Sequence, residues 1–120
     1  MCIRDRTNSE AKLLRIFIGE SDKIKGKLVY EEIVLKAREA GLAGATVIKG
    51  VMGFGANSKI HTSKLLTLSE DLPLVIEIVD TLEKIENFIP IVNDIFESAN
   101  NGGLVTIEKA QIIKYISTKK

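Results

Sequence analysis

The hydrophobic pattern begins with "KLLRIFIGES", Lys12 to Ser21, a β-rich apolar run stopped by Gly19 and a polar cluster. Its near-continuous apolar character predicts a strand buried on both faces. From Lys27 to Ala40 the period changes. Leu28, Ile33, Val34 and Ala37 recur at helical spacing opposite Glu31, Glu32, Lys36, Arg38 and Glu39, and Gly41 stands where a left-handed cap ends a helix. "ATVIKGVMGF" (45–54) predicts a second strand interrupted by Gly50, and "KLLTLS" (64–69) a third. The polar stretch between them, "GANSKIHTS", is too long for a tight hairpin turn, and such connections tend to carry function. "LPLVIEIVD" (72–80) predicts a further strand with Leu74, Ile76 and Ile78 on one face. Asp80 followed by Glu83 resembles a capping box, and Leu82, Ile85, Phe88, Ile89, Val92, Ile95 and Phe96 trace the apolar stripe of a second helix. Pro90 predicts a kink or split in that helix, because it removes the backbone bond to Glu86. "SANNGG" stops the helix, and "LVTIEKAQIIKYI" (104–116) supplies a last strand, broken near Ala110.

This order is two β-α-β halves, each running strand, helix, glycine-bearing turn, strand. Right-handed crossovers then give the ferredoxin-like βαββαβ arrangement, an α+β fold with a four-stranded antiparallel sheet and both helices on one face. No helix remains for the other face. With Val47, Val51, Met52, Leu65 and Leu66 on the strands, an uncovered apolar face predicts association with copies of the same chain.

The 120 residues suit a single domain, and no apolar run approaches the ~20 residues of a membrane span, so direct membrane insertion is not expected. "MCIRDR", residues 1–6, fits no downstream period and reads like a translated sequencing adapter; the expected domain is therefore 7–120. Setting aside Arg4, Asp5 and Arg6 takes 17 basic and 16 acidic residues to 15 of each. A neutral chain offers no electrostatic case for nucleic acid. Cys2, the only cysteine, leaves with the same segment, so neither a disulfide nor a cysteine metal site is expected, as suits a cytoplasmic protein.

Within Gly41 to Lys64, "GLAGATVIKGVMGFGANSKIHTSK" crowds glycines around a β-branched run and ends near the only histidine. Together with "DLPLVIEIVD", it resembles the PII signalling proteins: a Gly-x-x-Gly-x-Thr-Val entry, a Gly-Phe-Gly strand end, a His-Thr pair and a Leu-Pro before an "IEIV" strand. Over nearly its whole length, including "RIFIGESDK", "LSEDLP" and "NGGLVTIEK", the chain resembles the small PII-like bacterial and archaeal proteins catalogued as a domain of unknown function. The resemblance implies a homotrimer with adenine-nucleotide sites (ATP, ADP or AMP) in the clefts between subunits. Carried over by position, it implies Gly53, Phe54 and Gly55 along a phosphate path, Thr46 near the adenine, and Asn100, Asn101, Gly102 and Gly103 closing the site from the neighbouring subunit. Glycines let main-chain N–H groups approach an anion, and Lys59 and His61 are candidates to add charge. The implied role is regulatory, with the loop 56–63 reporting occupancy to a partner such as a membrane transporter or channel.

Departures from the PII pattern keep other readings open. "NNGG" lacks the acid and lysine of the corresponding PII turn, the loop has no tyrosine, and the C-terminal arginines are absent. A structural or metal-tolerance trimer of the same fold is the alternative, although a lone histidine has no second one to share a metal. For catalysis, the serines lack an activating partner or a Gly-x-Ser-x-Gly context, and the acylphosphatase-like position "GESDKIKGK" offers lysines but no arginine; the chain reads as a non-enzyme.

Overall fold

A computed structural model describes residues 10–53, 72–99 and 102–118. The predicted strand 64–69, the loop 56–63 and the segment 1–6 lie outside the described residues. The elements are β1 (Glu10–Gly19), β2 (Lys23–Ile24), β3 (Lys27–Leu28), α1 (Val29–Glu39), β4 (Thr46–Lys49), β5 (Pro73–Thr81), α2 (Leu82–Ala99) and β6 (Leu104–Gln111). The main sheet has the order β4-β5-β1-β6, every pair antiparallel. With two helices this is the ferredoxin-like α+β fold that the sequence predicts.

One sheet face meets the helices. Leu14, Ile16 and Ile18 of β1 and Leu74, Ile76 and Ile78 of β5 pack against Val29, Ile33 and Ala37 of α1 and Ile85, Phe88, Val92 and Ile95 of α2. The helical and two-residue periods thus converge on one core. β1 is not buried on both faces as its composition predicts: Leu13, Arg15 and Phe17, on the face away from the helices, are only half-buried. There Arg15 donates from Nε to Glu77 Oε2 (3.0 Å) and from Nη1 to Glu108 Oε2 (2.7 Å), joining three adjacent strands. The Glu77 hydrogen bond, ahead of the nearby Glu108 charge, raises the guanidinium pKa above its usual value even against desolvation, so the group stays charged. Around this triad Ile48, Val79 and Leu104 are exposed, leaving an open face of ion pairs bordered by apolar side chains.

Four local readings need correction. α1 starts at Val29 rather than Lys27, because Lys23–Leu28 form a small hairpin whose central Lys25 and Gly26 both have positive φ, the geometry of a tight primed turn. Asp22 fastens it: its Oδ2 accepts the Gly19 N–H (3.0 Å) and its carbonyl accepts the Val29 N–H (2.8 Å). α2 is not split at Pro90, which sits exposed inside a continuous helix. The α2 cap is Thr81, whose Oγ1 accepts the Lys84 N–H (3.3 Å), and not Asp80, which is buried and otherwise engaged. β4 is shorter than predicted, ending before Gly50, whereas β6 ends at Gln111, beside the break expected near Ala110.

Gly41 takes the left-handed conformation expected of a helix stop (φ 80°). The turn that follows is tied from two sides. Asp80 Oδ2 accepts the Ala43 N–H (2.9 Å), Lys84 Nζ donates to the Gly41 carbonyl (2.9 Å), and the Tyr115 hydroxyl donates to the Ala43 carbonyl (3.3 Å). The segment after β6 therefore reaches from one sheet edge to the turn that feeds the opposite edge strand.

Candidate functional site

Of the residues singled out from the sequence, Thr46, Gly53, Gly102 and Gly103 are described; Phe54, Gly55, Lys59, His61, Asn100 and Asn101 lie outside the described residues. Thr46 opens β4 on the open sheet face, paired with Glu77. Gly53 lies beyond the far end of the same strand, roughly 10 Å or more along it at ~3.3 Å per residue.

Antiparallel pairing brings four chain segments to one end of the sheet. β1 leaves at Gly19 and Glu20, β4 at Lys49 and Gly50, while β5 enters at Leu72 and Pro73, and β6 enters through Gly102 and Gly103. The Glu20 N–H donates to the Leu72 carbonyl (2.8 Å) and the Gly50 N–H to the Pro73 carbonyl (2.7 Å). Over these bonds Lys49 Nζ reaches Glu20 Oε2 at 2.9 Å. Residue spacing hides this pair, since the partners come from β-α-β ends far apart in sequence.

Glycine at this end has a packing reason as well as any binding one. A Cβ on Gly50 would stand 2.9 Å from Pro73 Cγ, and one on Gly53 3.1 Å from the same atom, so the strand end folds tightly over the proline ring. On the other edge a Cβ on Gly103 would meet Phe96 Cζ at 2.8 Å and the Phe17 carbonyl at 3.1 Å. Beyond Gly50, the N–H groups of Val51, Met52 and Gly53 donate to no other described residue, and the Val51 and Met52 side chains are exposed. Donors beside a lysine that no described residue takes up are candidates for holding an anion.

The two glycine turns share a sheet end but not an edge. β4 and β6 are the outer strands, separated by β5 and β1, so three strand spacings of ~4.8 Å put the turns about 14 Å apart. Within one protomer they do not converge on a single phosphate. Elsewhere, a groove of about 520 Å³ runs between α1 and α2 over Ile91 and Ile95, and it includes none of the residues singled out from the sequence. Among the described residues no cluster of three potential metal ligands occurs, and no helix is long and apolar enough to cross a membrane.

A four-stranded antiparallel sheet in this order, carrying two helices on one face, defines a ferredoxin-like α+β domain, the fold that PII-like proteins also have. Comparison with solved structures agrees: CPII, a nitrogen regulatory PII-like protein from Thiomonas intermedia K12 bound to ADP, AMP and bicarbonate, superposes with a TM-score of 0.64 at 19% identity, over 88% of this chain and 90% of that one. The chain itself belongs to the DUF190 family, described as "Uncharacterized ACR", whose model matches residues 11–112. Among its relatives are a UPF0166 protein of Aquifex aeolicus, 38% identical over 85% of this chain and 92% of that protein, and a UPF0166 protein of Methanocaldococcus jannaschii, 35% identical over 88% and 94%.

Proposed function

We propose that this protein is a PII-like regulator that assembles as a homotrimer and binds an adenine nucleotide between subunits. The observation that carries this reading is the separation of the two glycine turns: a ligand touching both needs the β4 end of one protomer and the β6 end of another. The open sheet face, which among the described residues carries no helix and exposes Ile48, Val79 and Leu104, supplies a surface for that association. CPII, which shares the fold, is seen with ADP and AMP, which makes adenine nucleotides the first ligands to examine. The N–H groups of Val51 to Gly53, which donate to no described residue, are the proposed seat for phosphate oxygens, with Thr46, Phe54, Gly55, Lys59 and His61 continuing the site. Asn100, Asn101, Gly102 and Gly103 close it from the neighbour. The loop 56–63 is the element that reports occupancy to a partner.

A second reading, a structural trimer of the same fold, draws on the glycine packing. Gly50 against Pro73 and Gly103 against Phe96 are required by the fold whether or not a ligand arrives. Native mass spectrometry with thermal shift against ATP, ADP and AMP separates the two. Trimers with saturable stabilisation, about 2.7 kcal/mol at a hundred times the dissociation constant, support the sensor. Trimers that no adenine nucleotide stabilises leave the structural reading.

A further inference from the structure

The ion pair between Lys49 and Glu20 ties the exit of β1 to the exit of β4, just before Val51, Met52 and Gly53, whose N–H groups donate to no described residue. With the Glu20 N–H on the Leu72 carbonyl and the Gly50 N–H on the Pro73 carbonyl, the pair bridges the point where β5 begins. Neither partner is sequestered: the Lys49 side chain is 53% exposed and that of Glu20 32%. An exposed pair of this kind is weak, held by a fraction of what a phosphate dianion offers an ammonium group.

We propose that Lys49 is the exchangeable cation of the site, held by Glu20 when the site is empty and transferred to a phosphate oxygen when a nucleotide or other polyphosphate occupies the strand end. The inference rests on the ligand reading above and deepens it. It gives the positive charge that "NNGG" lacks a source within the described residues, one chosen by geometry rather than by motif. Glu20 is then a positioning residue with two effects. It orients the Lys49 side chain over the strand end, and it competes with the incoming anion. Exchange also removes a side-chain tether between the exits of β1 and β4.

Isothermal titration with ATP, and with inorganic tripolyphosphate as a probe lacking the base, tests the exchange. Lys49→Met is expected to weaken both ligands roughly ten- to hundredfold and to flatten the salt dependence of binding. Glu20→Gln keeps the side chain's shape, removes the competitor, and is expected to tighten both ligands roughly two- to fivefold. Glu20→Gln binding that is unchanged or weaker, or Lys49→Met binding that matches the unaltered protein, overturns the exchange while leaving nucleotide sensing intact. Failure of the unaltered trimer to bind either ligand overturns both.

Discussion

Asp80, at the end of β5, accepts the main-chain N–H of Ala43, 37 residues earlier, at 2.9 Å, while its other oxygen accepts the Thr81 N–H at 2.7 Å. Only 2% of Asp80 is exposed. A buried carboxylate with both oxygens engaged fixes the α1–β4 turn to the sheet, and through it the entry of Thr46 into the edge strand. Replacing Asp80 with alanine leaves two donors unanswered and is expected to cost about 2–4 kcal/mol in urea unfolding. Asp80→Asn, which retains one acceptor oxygen, is expected to cost less.

Gly103 occupies a space with no room for a methyl group. Gly103→Ala must push the Phe96 ring and the Phe17 backbone, at an expected loss of about 1–3 kcal/mol by chemical denaturation. Adding Phe96→Leu should recover part of that loss, because one of the two obstacles shrinks while the backbone carbonyl remains.

Pro90 lies inside α2 without breaking it and is exposed. Pro90→Ala restores the hydrogen bond to the Glu86 carbonyl and a favourable helix residue, with an expected gain of about 1 kcal/mol or more, read as a higher urea midpoint at unchanged slope.

Arg15 separates two carboxylates on the open sheet face. In the proposed trimer, Arg15→Met leaves Glu77 and Glu108 uncompensated where protomers meet, and sedimentation equilibrium should show dissociation toward smaller species. Combining it with Glu77→Gln and Glu108→Gln should restore assembly, since neutral residues there carry no such penalty. Dissociation that persists in the triple variant would mean that the guanidinium itself makes the contact.

What the sequence makes legible here is periodic burial. The alternation of Leu74, Ile76 and Ile78 and the helical spacing through Ile85, Phe88, Val92 and Ile95 each lead to the observed core, because one-sided burial leaves a repeat in the chain. The β2–β3 hairpin leaves none, as two-residue strands are shorter than any period. Asp80 is misread for a related reason: a local capping pattern competes with a bond to Ala43 that sequence distance conceals. For the candidate site, the glycines are visible as motifs, but their contacts with Pro73 and Phe96, and the meeting of Lys49 with Glu20, exist only after the strands are paired.

The position of β1 between β5 and β6 shapes how this protein is made. Its partners along both edges, from Pro73 onward and from Leu104 onward, lie far from it in the sequence. Leu14, Ile16 and Ile18 are therefore sheltered only through long-range pairing, so folding is expected to proceed slowly for a chain of this size. A folding intermediate in which β1 has not yet met these partners would show a bare apolar ribbon to chaperones and to copies of itself.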